Sequence, residues 1–307
     1  YASRRYFKEI KREKLTMKIE KDYELKKHTT FQIGGKANTV YFPETVEELE
    51  QILKENSEAI VLGNGSDVLI SSAGINDFKI DGKKVYATCG VKAPVLSREV
   101  SEKGLSGMEF MFCIPGTIGG MVYMNASAHS QSIAEIFTSC KVFDVENKKV
   151  LTLNKDDMNF EYRKTVISEK KYVVLSAEFE LKTSTVDEVK ALMQRNAEFR
   201  KQKQPSLALP NAGSIFKNPE NDSAGRLLEK SGVKSKIIGG AKVWENHANF
   251  IVNIGYATSS DVLNLMYKMY NEVKVRYTIE LQPEVKFIGI ANEEEKEIWQ
   301  TMTANKN

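Results

Sequence analysis

Hydrophobic and polar positions alternate along this chain in patterns that change repeatedly between strand and helix. The segment ANTVYF at 37–42 has the alternation of a strand. Thr45 and Glu48 then form the pattern of a capping box, and the helix that they begin carries its apolar residues on one face, at Val46, Leu49, Ile52 and Leu53. The apolar run from Ala59 to Leu62 predicts a short buried strand.

The same alternation continues through the middle of the chain. Short strands are predicted around 85–89, 142–145 and 172–181, and Pro94 and Gly104 mark the start and end of a helix. A second capping box, at Thr185 and Glu188, begins a helix that runs toward Arg200. This order of elements predicts an α+β fold.

A region rich in proline separates these elements from the last part of the chain. The loop 204–219 holds three of the seven prolines. It is followed by the strand FIVN at 250–253 and by an amphipathic helix from Asp261 to about Tyr277, whose apolar stripe predicts core packing. We therefore expect a domain boundary near residue 200.

Length, charge and cysteine content narrow the class of protein. The 307 residues suffice for two or three domains, and the 44 basic and 41 acidic residues give a net charge of only +3 without a basic stripe, so nucleic acid is not an expected partner. The three cysteines and three scattered histidines predict neither a disulfide framework nor a metal site. No apolar run reaches the ~18 residues of a membrane span. We expect a cytoplasmic protein.

Two glycine-rich segments offer sites for phosphate groups. In GMEFMFCIPGTIGGMVYMN, from Gly107 to Asn125, Pro115 precedes glycines that have no Cβ to keep a ligand away from the backbone, namely Gly116, Gly119 and Gly120. The turn GNGS at 63–66 can present consecutive amides to an anion. Neither matches a Walker or dinucleotide-binding fingerprint, and the segment 107–125 taken alone is better explained as a glycine-rich turn between a strand and a helix.

A third candidate segment is the loop PNAGSIFKNP at 210–219. It places Ser214 directly after a glycine and three residues before Lys217, so that donors gather in one short stretch. Taken alone, this is also the pattern of a surface turn bounded by prolines.

Taken together, the segments resemble the UDP-N-acetylenolpyruvoylglucosamine reductase family of flavoenzymes. Seven motifs occur in order between about residues 25 and 290, which makes the resemblance highly specific. They are HTTFQIGG at 28–35, LGNGSDVLI at 62–70, GMEFMFCIPGTIGGMVYMNA at 107–126, Tyr162-Arg163, LPNAGSIFKNP at 209–219, GGAKVWENHANFIVN at 239–253 and LQPEVKFIG at 281–289. The short loops resemble the compact subclass of the family.

The resemblance implies an FAD-binding region with two α+β subdomains of the vanillyl-alcohol-oxidase type, followed by a smaller substrate-binding domain. The boundaries expected from it are a basic extension at 1–16, FAD-binding subdomains at 17–84 and 85–199, a substrate domain at 200–290 and a charged tail at 291–307. A monomer is expected.

The chemistry implied by the resemblance is the NADPH-driven reduction of UDP-N-acetylglucosamine enolpyruvate to UDP-N-acetylmuramate, a step of peptidoglycan precursor synthesis. Hydride passes from NADPH to noncovalently bound FAD and then from flavin N5 to C3 of the enolpyruvyl group. Arg163 polarises the substrate carboxylate, Glu284 assists, and Ser214 gives a proton to C2. A planar, permanently charged guanidinium suits a carboxylate, and a serine can protonate only a strongly basic carbon in a closed site.

The resemblance also implies two sets of binding residues. The expected FAD-binding residues are Gly63, Asn64, Gly65, Ser66, Asp67, Pro115, Gly116, Thr117, Gly119, Gly120 and Asn125. The expected substrate-binding residues are Arg200, Lys203, Lys217, Asn218 and His247.

Some positions depart from the usual family pattern. Asp67 stands where asparagine is common and puts a negative charge near the expected pyrophosphate site. Ser127, together with the residues His129, Ser130 and Gln131, replaces a segment richer in glycine, and Trp244 replaces a small residue.

Two alternatives to this function are a flavin oxidoreductase of the same superfamily with another substrate, and a nucleotide-binding module without catalysis.

Overall fold

A computed structural model describes residues 17–63, 77–289 and 291–304. The strands in these ranges are β1 Lys18–Glu24, β2 Lys36–Phe42, β3 Phe78–Asp81, β4 Lys84–Thr88, β5 Leu105–Ser106, β6 Ser127–Ala128, β7 Gln131–Ser132, β8 Phe137–Asp144, β9 Lys149–Asn154, β10 Tyr172–Glu180, β11 Lys182–Thr183, β12 Asn211–Ser214, β13 Ile237–Ile238, β14 Ala241–Val243 and β15 Phe250–Asn253. The helices are α1 Val46–Glu55, α2 Ala93–Ser101, α3 Ile118–Tyr123, α4 Ile133–Ile136, α5 Val166–Glu169, α6 Val186–Lys203, α7 Ala224–Lys230, α8 Ser259–Tyr277 and α9 Glu293–Thr303.

The larger hydrophobic core forms around a five-stranded antiparallel sheet in the order β3-β4-β10-β8-β9. Side chains from alternate strand positions, such as Val85 and Ala87 on β4, point into it. Leu96 on α2, Ile118 on α3 and Phe110 in the 3₁₀ helix Glu109–Cys113 cover the sheet and are essentially buried. The start of α3, which lies in the glycine-rich segment Gly107–Asn125, is thereby fixed against the sheet.

A second core lies in the C-terminal part of the chain. It joins the four-stranded sheet β12-β15-β14-β13 to helices α7, α8 and α9, and Met266, Met269 and Tyr270 of α8 are buried in it. Phe31 and Ile33, which follow β1 in the chain, pack against this core. The N-terminal hairpin β1-β2 has a small cluster of its own around Val40 and Phe42.

Most of the elements expected from the pattern are present. The strands near 37–42, 85–89, 142–145, 172–181 and 250–253 and the helices α1, α2, α6 and α8 are confirmed. The box at the start of α6 is complete. At α1, Thr45 accepts from the Glu48 amide as expected, but the Glu48 carboxylate accepts from the amide of Glu44 and not from that of Thr45.

The prediction of a buried strand at Ala59–Leu62 is wrong. This segment has no strand conformation, and the Ile60 side chain is 60% exposed. The Ala59 amide donates to the Asn56 carbonyl and closes a turn after α1, so the run begins in a turn. An apolar run of four residues does not by itself supply the neighbouring strand that ladder hydrogen bonds need.

The segment expected as a charged tail contains α9, which begins with a complete capping box at Asn292 and Glu295. Ile298 and Met302 on this helix are buried against the second core. Within the described ranges, no helix is both long enough and apolar enough to cross a membrane.

Candidate active site

Arg163 is held in an unusual backbone conformation between the two cores. Its φ angle is +56°, in the left-handed region that residues other than glycine seldom adopt. Glu161 and Lys164, which lie before and after Arg163 in the chain, form an antiparallel β-bridge. The Asn125 side-chain amide donates to the Glu161 carbonyl at 2.9 Å. These backbone contacts hold the turn that presents the Arg163 side chain.

The Arg163 guanidinium contacts two segments that are distant in the chain. Its Nε donates to Glu284 Oε1 at 2.6 Å, its Nη1 donates to Ser127 Oγ at 2.7 Å and its Nη2 lies 3.3 Å from the Ser127 carbonyl oxygen. The Tyr162 ring centroid lies 5.0 Å from the guanidinium carbon. The guanidinium plane is therefore fixed from several sides.

Glu284 and Ser214 are brought together by backbone pairing. Phe216 and Pro283 form a β-bridge, and the Glu284 amide donates to the Ile215 carbonyl at 2.8 Å. Ser214 ends β12 immediately before Ile215 and follows Gly213, whose φ is +74°. The structure thus brings Arg163 and Glu284 into direct contact. Ser214 directly precedes Ile215, whose carbonyl pairs with the Glu284 amide.

The ion pair of Arg163 and Glu284 is largely removed from water, because the two side chains are only 17% and 9% exposed. Screening by solvent is weak at such a position, so the charges act more strongly on a bound group than they would on an open surface. A fixed guanidinium here is suited to hold a carboxylate and to stabilise negative charge that develops on it.

The two glycine segments meet at Thr117. A Cβ added to Gly63 would lie 2.6 Å from Thr117 Oγ1, and a Cβ added to Gly120 would meet that same oxygen at 3.7 Å and nothing nearer. Thr117 is the residue before α3, and its side chain makes no capping hydrogen bond. The absence of side chains at both glycines therefore leaves the space next to Thr117 Oγ1 unfilled by a Cβ.

Other glycine-segment positions have structural explanations. Gly119 packs on Cys89, whose carbonyl accepts the Gly119 amide at 2.8 Å and whose Cβ would lie 3.0 Å from a Cβ added at Gly119. The Gly116 carbonyl accepts from the Ala93 amide, which fixes the loop after Pro115 to the start of α2. Asn64, Gly65, Ser66 and Asp67 lie outside the described residues.

Asn125 uses its side chain within the protein. Besides donating to the Glu161 carbonyl, it accepts from the Ala134 amide at 3.1 Å. Asn125 was expected to bind the cofactor. The structure also gives it a structural role that the sequence pattern did not indicate, because it holds the turn of Arg163.

The expected substrate-binding residues lie on separate segments of the chain. Lys217 and Asn218 follow Ser214 directly, and Asn218 Oδ1 accepts from the Ala224 amide at 3.0 Å. Arg200 instead lies at the end of α6 beside Cys113, where burial lowers the pKa of Arg200. The pKa of Cys113 is raised by burial, against the opposing effect of the Arg200 charge.

His247 lies in the second core region. Burial lowers its pKa, and the positive charges of Lys234 and Lys203 act in the same direction while Glu229 opposes them. Its Nδ1 accepts from the Asn249 amide, and its ring packs on Phe250. The structure therefore gives His247 a packing role and places Lys203 in its electrostatic neighbourhood.

Two features of the site were not identified from the sequence. Ser127, noted only as a departure from the family pattern, contacts the guanidinium directly. Lys286 Nζ donates to the Tyr123 hydroxyl at 2.5 Å and lies over its ring, so it links α3 to the segment of Glu284. Lys286 lies two residues after Glu284 in the chain, but this spacing does not indicate that its side chain contacts Tyr123.

Comparison with known proteins gives matches over most of the chain. The model of an FAD binding domain matches residues 37–154, and the model of the UDP-N-acetylenolpyruvoylglucosamine reductase C-terminal domain matches residues 204–288. The α+β class with an FAD-binding region is thereby confirmed.

Curated relatives are similar to the chain over most of their own length. A UDP-N-acetylenolpyruvoylglucosamine reductase of Caldicellulosiruptor bescii is 42% identical over 88% of this chain and 90% of its own length. One of Clostridioides difficile is 37% identical over 88% of this chain and 93% of its own. The crystal structure of such a reductase from Thermus caldophilus superposes with a TM-score of 0.75 at 30% identity, covering 88% of this chain and 98% of that one.

Proposed function

The chain belongs to the UDP-N-acetylenolpyruvoylglucosamine reductase family, and from this premise we propose how its own residues carry out the reaction. It is an oxidoreductase that uses FAD and NADPH to reduce UDP-N-acetylglucosamine enolpyruvate for peptidoglycan precursor synthesis. The observation that carries the mechanism is the shielded ion pair of Arg163 and Glu284 next to Ser214.

The described residues fit an FAD diphosphate. Gly63 and Gly120 leave open the space at Thr117 that a Cβ would enter, so a cofactor group can approach the backbone closely there. We assign Gly63, Thr117, Gly120 and the loop of Pro115 and Gly116 to this group, and we assign Asn64, Gly65, Ser66 and Asp67 to it from the family resemblance alone. When bound there, FAD would supply a two-electron carrier between NADPH and the enolpyruvyl group.

Arg163 is proposed to bind the substrate carboxylate. The guanidinium has five N–H donors in one plane, and contacts with Glu284 and Ser127 fix that plane. Hydride addition at C3 sends an electron pair toward C2 and the carboxylate. The fixed cation stabilises that charge, and donors of this kind contribute about 3 kcal/mol each in other enzymes.

Glu284 is proposed to orient Arg163 and to balance its charge. Without a counterion, a guanidinium this shielded would favour a competing anion or an altered geometry. The carboxylate accepts from Nε, while Ser127 contacts the terminal nitrogens Nη1 and Nη2.

Ser214 is proposed to donate the proton to C2. With hydride at C3 and a proton at C2, the enolpyruvyl ether becomes a lactyl ether, and the substrate gains two hydrogens in total. A hydroxyl is a weak acid, so this transfer requires the developing carbanion and the exclusion of water. The position of Ser214 at the end of β12, beside the Ile215–Glu284 pairing, supports the assignment.

For the uridine diphosphate we propose Lys217 and Asn218, which continue the Ser214 loop, with Lys203 and His247 as further contacts. Arg200 Nη1 donates to the Pro205 carbonyl at 3.3 Å, and its charge acts on Cys113, so its assignment to substrate rests on the family resemblance. Cytoplasmic localisation, a monomeric state and the domain boundaries given above stay predictions.

Product analysis tests this function against the alternative of another flavin oxidoreductase. Purified protein with FAD, NADPH and UDP-N-acetylglucosamine enolpyruvate should consume NADPH and substrate in equal amounts and yield a product heavier by two hydrogens. NADPH consumption that does not depend on this substrate, with oxygen as the acceptor, would favour the oxidase alternative.

A further inference from the structure

The hairpin of β6 and β7 is held in place by a buried carboxylate. Gln131 Nε2 donates to Glu109 Oε2 at 3.1 Å, and the Gly107 amide donates to the same oxygen at 2.8 Å. Glu109 is only 2% exposed. The hairpin is therefore anchored to the 3₁₀ helix Glu109–Cys113, which is itself part of the larger core.

The anchored hairpin presents Ser127 to the Arg163 guanidinium. The Ser127 hydroxyl oxygen accepts from Nη1 at 2.7 Å and its carbonyl oxygen faces Nη2 at 3.3 Å. One residue thus faces both terminal nitrogens, while Glu284 binds Nε on the other edge. Rotation of the guanidinium plane would break at least one of these contacts.

From this geometry we propose that Ser127 is a positioning residue, whose hydroxyl sets the orientation in which Arg163 meets the substrate carboxylate. The inference rests on the proposed role of Arg163. A bidentate contact with a carboxylate depends on the direction of two N–H bonds, so a tilt of the plane weakens it even though the charge is unchanged. Loss of the hydroxyl therefore affects the substrate half-reaction and leaves hydride transfer from NADPH unaltered.

The test compares the two half-reactions in Ser127→Ala, Ser127→Thr and a matched control. Ser127→Ala keeps the backbone carbonyl and removes the acceptor of Nη1, whereas Ser127→Thr retains a hydroxyl. The control is Ser132→Ala on the paired strand β7, since Ser132 faces Ser127 in the register and its hydroxyl contacts Glu135. Each protein is reduced anaerobically with NADPH and then mixed with UDP-N-acetylglucosamine enolpyruvate in a stopped-flow instrument.

For Ser127→Ala we expect reoxidation by substrate to slow by about tenfold, as for the loss of one hydrogen bond to a charged group. Reduction by NADPH, FAD content and thermal midpoint should equal those of the unaltered protein. Ser127→Thr and Ser132→Ala should reoxidise within about threefold of it.

Three outcomes would overturn the inference. One is reoxidation of Ser127→Ala at the original rate, another is equal slowing of both half-reactions, and the third is a Ser127→Thr variant as slow as the alanine variant. Failure of the underlying function is distinguishable, because the unaltered protein itself would then fail to reoxidise with this substrate.

Discussion

At the scale of single residues, the proposed role of Arg163 depends on the number and direction of its N–H groups as well as on its charge. Arg163→Lys keeps the charge but offers one compact ammonium in place of a planar fork. We expect kcat/KM for the enolpyruvyl substrate to fall by about 100-fold, because the contacts to Glu284, Ser127 and the carboxylate cannot all be kept. Steady-state NADPH oxidation measures this. Arg98→Lys, at an exposed position on α2, should keep full activity, and an Arg163→Lys enzyme of equal activity would exclude the proposed role.

Replacement of Ser214 tests the protonation of C2 separately from cofactor binding. Ser214→Ala should accept electrons from NADPH at the original rate, while its reoxidation by substrate slows by about 100-fold or more, because C2 loses its proton donor. Anaerobic half-reaction kinetics measure the two steps. The control Ser206→Ala removes an exposed hydroxyl in the preceding loop and should have no effect. Equal slowing of both half-reactions would mean that Ser214 supports the flavin site instead.

At the scale of elements, the N-terminus of α8 depends on Asp261. Hydrogen bonding from the Thr258 backbone amide lowers the pKa of Asp261, and the Gly240 amide acts in the same direction. Because the folded-state pKa lies below the unfolded one, the stabilisation is fully present above the unfolded pKa, which is ~3.9 for aspartate. It is lost as pH falls through the folded pKa.

We therefore expect the free energy of unfolding of Asp261→Asn to be below that of the unaltered protein at pH 7, with the difference shrinking toward pH 3. The effect should be modest because the Asp261 carboxylate is partly exposed to solvent. Denaturant unfolding at both pH values measures it. Asp187→Asn, in the first turn of α6, serves as control, and a difference that grows toward pH 3 would contradict the assignment.

The close contact between β14 and the start of α8 depends on Gly240. An added Cβ would lie 2.2 Å from the Ala257 nitrogen, so Gly240→Ala requires the backbone to move. We expect a loss of at least about 3 kcal/mol in the free energy of unfolding, in the upper range for single substitutions. Gly35→Ala is the control, because nothing lies within 4 Å of its added Cβ. Equal stability of the two variants in denaturant unfolding would contradict the described packing.

Sequence patterns predicted elements well where capping and periodicity agreed, as in α6, and where the apolar stripe was long, as in α8. They failed at Ala59–Leu62, where four apolar residues gave no information about a strand partner. They also gave no indication that α9 packs on the second core through Ile298 and Met302. Local composition specifies local conformation, whereas docking depends on surfaces formed by distant segments.

At the scale of the whole molecule, the site is assembled where the two cores meet. The Arg163–Glu284 pair joins residues 121 positions apart in the chain. Lys286 and Tyr123 make a second connection, and the Thr30 hydroxyl donates to the Asn211 carbonyl at 2.7 Å near the start of β12. The resemblance named Arg163, Ser214 and Glu284 from motifs, but only the folded chain shows that Ser127 and Asn125 hold the first of them in position.

The central claim is that these segments together form a reductase site for an enolpyruvyl sugar nucleotide. The most direct measurement is anaerobic: the bound flavin is bleached with NADPH, and UDP-N-acetylglucosamine enolpyruvate is then added. The account predicts rapid return of the oxidised flavin spectrum, with one substrate reduced for each flavin reoxidised. A flavin that stays reduced until oxygen is admitted would contradict it.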